Sequence, residues 1–272
     1  MEDNKAMKVA VLIDAENISW KYAKKILDEA SGVGVVICKR IYGDWSSQSL
    51  SSWRNPIMDY SIQAVQQFQN TSGKNSSDSS LIIDAMDLLH EGKYHCICIV
   101  SSDSDFTRLA SRLRESEIYV VGMGEQKTPT SFRRACDKFQ YLDVLMQDSL
   151  QKTKAPEDSG TPKPDASEPN EGILQEQNTT DSGLNKQLVI SAIDDIVSHE
   201  SDEDGWYYMA GLGNRLLSRF PDFDVRNFGF PKLTPFVNSL DLYEIKKEQN
   251  PSNPSLKVVY IRKNKPVLST GD

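Results

Sequence analysis

The sequence predicts an α/β protein: a mainly parallel sheet with helices on both faces, followed by a small domain of three helices and a β-hairpin. Three observations carry this. Apolar strand-like runs alternate with stretches of helical periodicity over the first half of the chain. Those runs are solid and not alternating, as expected of strands buried on both faces. An acidic, Pro- and Ser-rich stretch then separates this half from a second set of elements.

Lys8–Ile13 reads as a buried strand and Ile18–Ala30 as an amphipathic helix. Val33–Tyr42 is a second strand, and Leu50–Tyr60 a helix interrupted near Pro56. Ile62–Phe68 reads as a strand, Ser79–Leu89 as a helix, Tyr94–Val100 as a strand and Phe106–Glu115 as a helix. Ile118–Val121 is a strand, Phe132–Phe139 a helix and Tyr141–Leu145 a last short strand. The segment from Gln151 to Ser182 has almost no apolar residues and cannot offset the entropy of ordering. The expected division is therefore a first domain over 1–147, a disordered acidic linker over 148–183 and a second domain over 184–265.

In the second domain, Leu184–Val197, Met209–Phe220 and Lys232–Ser239 read as helices. Two strand runs, LYEIKK and LKVVYIRK, flank the turn composition EQNPSNPS. Three helices and a hairpin suggest a winged helix. Trp206, Leu212, Leu216, Phe223, Phe228, Leu233, Phe236 and Leu240 are its expected core. Arg215, Arg219, Arg226, Lys232, Lys246, Lys247, Arg262 and Lys263 are its candidate phosphate contacts.

The formal net charge of −8 argues against strong non-specific attraction to phosphate backbones. The first domain, over 1–148, carries 17 basic and 20 acidic side chains, close to balance if several acids hold metal. Four cysteines (Cys38, Cys96, Cys98, Cys136) and three histidines show no zinc-ligand spacing, so reduced thiols are expected. No apolar run is longer than a buried strand, and the expected setting is cytoplasmic, away from membranes.

The candidate chemistry lies at strand ends, where open parallel sheets place their sites. Asp14 ends the first strand with Asn17 one turn later, Asp44 ends the second, and Ser101, Ser102, Asp103 and Asp105 follow the fourth. Asp78 starts the third helix and Asp84 lies within it. Singly, Asp78 and Asp105 read as helix caps, Asp44 as a cap or turn residue and Asp84 as a solvated acid. As a set they read differently. Two carboxylates about 4 Å apart repel by roughly 4 kcal/mol at an effective dielectric of about 20, so a cluster requires protons or cations. All-oxygen ligands select Mg²⁺ or Mn²⁺, which support phosphodiester hydrolysis.

The motifs VLIDAEN, KNSSD followed by IID, VSSDSDF and the strand YVVGMG together resemble the NYN domain family, PIN-like, in its LabA-like branch, over about residues 7–146. The resemblance implies a metal-dependent ribonuclease in which Asp14, Asp78, Asp103 and Asp105 form the metal-binding centre. It also implies that Asn17 orients a ligand or water, and that Ser101 and Ser102 support the loop. Ser102 stands where the family often has Gly. Lys74 reads either as a phosphate contact or as an exposed loop lysine. Thr130 or Ser131 reads as a cap, with Ser131 also placed to hold a phosphate at a helix N-terminus. Arg133 and Arg134 read as a solvated face or as nucleic-acid contacts.

The stretch GWYYMAGLGNRLLSRFPDFDVRNFGFPKLTPFVNSLDLYEI resembles the OST-HTH/LOTUS family, over about 184–263, which implies an RNA- or protein-binding module. The combined expectation is a ribonuclease whose second domain, on its tether, recruits RNA or a protein partner. The rival is an RNA-binding adaptor with a silent nuclease fold.

Overall fold

The computed structural model describes residues 6–68, 76–152, 184–250 and 253–264. The first domain runs β1 (Lys8–Asp14), α1 (Ala23–Val33), β2 (Val35–Gly43), α2 (Arg54–Asp59), β3 (Gln63–Gln66), α3 (Ser76–His90) and β4 (Cys96–Val100). It continues through α4 (Thr107–Glu115), β5 (Tyr119–Gly124), α5 (Thr130–Ala135), β6 (Lys138–Tyr141) and α6 (Leu142–Lys152). Short 3₁₀ turns precede α1, α2 and α4. The strands form one six-stranded sheet of order β3-β2-β1-β4-β5-β6, parallel throughout. The order reverses between β1 and β4, and that is the switch point where ligands bind in such sheets.

The solid apolar runs are explained by two cores, one on each face. Ala10 and Leu12 of β1 and Ile97 and Ile99 of β4 pack with Leu81, Leu88, Leu113 and Phe132. Their alternate neighbours Val9, Val11, Ile13, Cys96, Cys98 and Val100 pack with Ile26, Leu50, Trp53 and Leu142 on the other face. Period-two alternation thus serves two apolar layers at once. All four cysteines are free thiols, with Cys96 and Cys98 on one face as expected.

Two elements depart from the expectation. The helix expected over Phe132–Phe139 ends at Ala135, and Cys136 is already extended. The strand expected over Tyr141–Leu145 lies instead at Lys138–Tyr141, and Leu142 onward is helix. Asp137 sets the boundary, because its carboxylate accepts from Val120 N at 2.8 Å and its own N–H donates to Val120 O at 2.9 Å. α6 runs through Lys152, past the expected boundary at 147 and over the first residues of the expected linker. The remainder of that segment, 153–183, lies outside the described residues, as does Lys74.

The second domain comprises α7 (Lys186–Glu200), β7 (Tyr207–Tyr208), α8 (Met209–Arg219), α9 (Leu233–Asn238), β8 (Tyr243–Asn250) and β9 (Asn253–Lys263). Its three strands form an antiparallel sheet of order β7-β9-β8, so three helices carry a hairpin wing. Leu212, Leu216, Phe223 and Phe236 are core, with Phe228, Leu233 and Leu240 packed against them. Trp206 is not core. It lies half-buried beneath two cations, with Arg262 at 4.4 Å and Lys246 at 4.6 Å from its ring centre.

The two domains touch. Arg133 Nη1 donates to Asp222 Oδ2 at 2.7 Å, Tyr141 Oη donates to the same oxygen at 2.8 Å, and Arg226 donates to both carboxylate oxygens of Glu29. Phe139 N, on the edge strand β6, donates to Pro221 O at 2.7 Å. Arg133 is therefore neither a solvated residue nor a nucleic-acid contact, because it is buried in an ion pair. Among the described residues no helix is long and apolar enough to cross a membrane.

A candidate metal centre

The parallel register places the first acid. Ile13 pairs with Val100, so the next residues on each strand, Asp14 and Ser101, stand side by side beyond the switch point. Both are buried, Asp14 at 1% exposure. Asp14 Oδ1 accepts from the N–H groups of Glu16 (3.1 Å) and Asn17 (3.3 Å). Its Oδ2 accepts from Asn17 Nδ2 and Ser101 Oγ, each at 2.7 Å. Four donors for about four lone-pair sites saturate this carboxylate. Burial raises its pKa above the usual carboxylate value, and the bonds from Asn17 and Ser101 pull against that rise.

Asp78, in the first turn of α3, is 8% exposed. Asp103 caps the 3₁₀ turn before α4, accepting from Asp105 N at 3.0 Å, and is half-buried; Asp105 is exposed. Carboxylate oxygens of Asp78, Asp103 and Asp105 all lie within 4.8 Å of one another. Burial, and then the charges of Asp14, Asp103, Asp105 and Glu16, push Asp78 up to about 6. The repulsion expected from the sequence thus adds to burial at Asp78.

The expected set of four acids therefore divides into a cluster of three and a hydrogen-bonded anchor. Asp14 is absent from the close triad but exerts the largest of the charge effects on Asp78. Asn17 holds Asp14 directly. Ser101 bridges the centre, donating to Asp14 and accepting from Asp103 N at 3.1 Å. Ser102 accepts from Glu125 N at 3.0 Å and ties the loop after β4 to the end of β5. Close approach is needed there. A Cβ on Gly124 would meet Ser101 O at 2.6 Å, so the strand YVVGMG requires glycine at its last position.

Other candidates fall outside the centre. Ser131 is exposed in the first turn of α5, and no hydrogen bond joins it to the acids among the described residues. The N-cap of that helix is Pro129, and Thr130 Oγ1 accepts from Arg133 instead of capping. Asp44 is a turn residue, accepting from Ser46 and from Gln66 Nε2. Asp84 is not simply solvated: it pairs with Arg40 at 2.9 Å and accepts from Tyr42 Oη at 2.8 Å. Glu16, which is not among the residues expected at the site, adds charge at Asp78, and its place in DAEN is its only local signal.

In the second domain most candidate phosphate contacts are occupied. Arg215 pairs with Glu200, Arg219 with Asp195, Arg226 with Asp224 and Glu29, Lys246 with Glu248, Arg262 with Glu244 and Lys263 with Asp194. Lys232 and Lys247 instead line an open cavity between α9 and the hairpin.

The NYN domain family matches residues 8–143, and the OST-HTH/LOTUS domain family matches residues 185–254. No curated protein is significantly similar to the chain. Among solved structures, a protein of unknown function from Vibrio parahaemolyticus is similar at 17% identity. The match covers 52% of this chain and 96% of that one, with a TM-score of 0.45.

Proposed function

The chain belongs to the NYN domain family and carries an OST-HTH/LOTUS domain, and we propose that it is a metal-dependent ribonuclease. The observation that carries this reading is the meeting of Asp78, Asp103 and Asp105 beside Asp14 at the switch point of the sheet.

The donor set fits a hard divalent cation. Its ligands are all carboxylate oxygens, with no thiol or imidazole in the cluster, and this suits Mg²⁺ or Mn²⁺. Asp78, Asp103 and Asp105 would hold the ion, and Asp14 would add its charge and, if freed from Asn17 or Ser101, a fourth carboxylate ligand. A bound cation there supplies the charge that activates water and stabilises the leaving oxygen of a phosphodiester.

The chain's own residues do the positioning. Asn17 and Ser101 fix the Asp14 carboxylate, Ser101 also fixes the Asp103 backbone, and Ser102 ties this loop to β5. Lys74 precedes Asp78 closely in the sequence, and that proximity alone supports it as a phosphate contact.

The second domain recruits RNA, with Lys232 and Lys247 as its phosphate contacts, and acts inside the cell's aqueous phase. The test is cation-supported cleavage of single-stranded RNA beside DNA of the same sequence. RNA cleavage that stops with EDTA supports the reading. Tight RNA binding without cleavage under Mg²⁺ or Mn²⁺ overturns it in favour of an RNA-binding adaptor.

A further inference from the structure

Beside the acidic centre, on the β2 side of β1, lies a cavity of about 730 Å³ that the cation chemistry does not use. Its size falls within the range of roughly 300–1,000 Å³ typical of ligand sites. It opens between the loop after β1 and the turn after β2, and Glu16 and Asn17 are among its lining residues. Asn17 is also the residue that donates to Asp14, so cavity and centre share a side chain.

The lining selects among ligands. Among the described residues no Lys or Arg lines it, so it offers no cation to a phosphate, and Glu16 and Asp44 contribute hydrogen-bond acceptors. Ser47, Ser49 and Ser52 bring hydroxyls, over a floor that includes the buried Leu50 and Trp53. Trp20 lines the same cavity and remains 43% exposed, so aromatic surface is left for a planar partner. A flat, uncharged group rich in hydrogen-bond donors, attached to a phosphate that lies next door, satisfies these conditions. Single-stranded RNA offers such a group, since its bases stack on aromatic side chains and donate through their edges.

We propose that this cavity is a nucleoside subsite, holding the base and ribose adjacent to the scissile phosphate with the base against Trp20. The inference rests on the reading of the centre as a ribonuclease site. It makes Trp20 a substrate-binding residue, not a catalytic one.

The test compares the full chain with Trp20→Ala, Trp20→Phe and Ser52→Leu, the last adding bulk at the lining while leaving Trp20 itself unchanged. With Mn²⁺ and a short single-stranded RNA, Trp20→Ala is expected to raise KM about tenfold while kcat stays within about twofold. Trp20→Phe should recover most of that loss, and Ser52→Leu should reproduce it. The same oligonucleotide titrated in EDTA, followed by quenching of tryptophan fluorescence, reads binding without cleavage. Unchanged KM in Trp20→Ala beside an active wild type overturns the subsite and leaves the nuclease reading intact. Trp20-dependent binding by a protein that never cleaves keeps the subsite and overturns the nuclease. Absence of both binding and cleavage overturns both.

Discussion

Arg133 and Asp222 form a buried ion pair between the two domains, with Nη1 2.7 Å from Oδ2 and side chains only 4% and 10% exposed. Tyr141 Oη donates to the same carboxylate oxygen, so the charge is hydrogen-bonded as well as paired. A second pair joins Arg226, close to Asp222 in sequence, with Glu29, to which Gln140 Nε2 also donates. The edge of the nuclease-type sheet is covered at the same place by the bond from Phe139 N to Pro221 O, which removes an exposed strand donor.

Breaking this pair from one side leaves a buried charge without its partner, at a cost of about 3–5 kcal/mol. Arg133→Met and Asp222→Asn are each expected to destabilise the chain in denaturant unfolding, and the double variant to lose clearly less than the sum. Additive losses below about 0.5 kcal/mol would show that the domains do not dock through this pair. Burial raises the Glu29 pKa, but Arg226 and Lys25 outweigh it and hold the group down at about 2. Its folded value lies below its unfolded one, so its contribution is present above about pH 4.5 and is lost as pH falls through about 2.

Asp78 has the opposite sign. Its folded pKa is raised to about 6, so the folded chain binds this proton more tightly than the unfolded chain does. Stability from this group is greatest below about pH 4 and is lost as pH rises through about 6. In EDTA, Tm should therefore fall between about pH 4 and 6, and Asp78→Asn should flatten that slope and raise Tm at about pH 7 by about 2–4 °C. Cation affinity should climb over the same window, since ligands must be deprotonated. A metal-free protein that gains stability across that window, with the same profile in Asp78→Asn, would refute this.

Asp14 differs from its neighbours because it is saturated with donors. In Asp14→Asn the amide oxygen can still accept from the backbone of residues 16 and 17, but the amide nitrogen then faces Asn17 Nδ2, donor against donor. A destabilisation of about 1–3 kcal/mol is expected, against stabilisation in Asp78→Asn. Calorimetry of the two variants without metal reads the contrast directly. Equal shifts would remove the distinction between anchor and triad.

Salt dependence tests the second domain. Each lost phosphate contact to a single strand should reduce the slope of log affinity against log salt by about 0.7. Lys232→Ala and Lys247→Ala are expected to do so, and Arg215→Ala, already paired with Glu200, is not. RNA affinity and slope unchanged in both lysine variants would move the RNA surface elsewhere.

Most of the sheet is legible in the sequence because β1, β4 and β5 are solid apolar runs, and the acids at the ends of β1 and β4 can be read from the same pattern. The end of the first domain is not. Phe132–Phe139 looks helical locally, and only the long-range bonds between Asp137 and Val120 turn the chain into β6. The pairing of Arg133 with Asp222 spans 89 residues and leaves no local signal. Trp206 reads as core because aromatic residues usually are, yet its neighbours across the wing are the cations Lys246 and Arg262. The separation of Asp14 from the triad depends on which donors reach each carboxylate, and spacing alone does not encode that.

Whether the acids make a cation-dependent active centre is read most directly by cleavage of end-labelled single-stranded RNA in Mn²⁺. Wild type and Asp103→Asn are compared, with folding of both checked by calorimetry. Wild type should cleave and be stopped by EDTA, while Asp103→Asn, equally folded, should lose about a hundredfold or more of that activity. Equal, EDTA-resistant cleavage by both proteins, or none by wild type under either Mg²⁺ or Mn²⁺, would contradict the account.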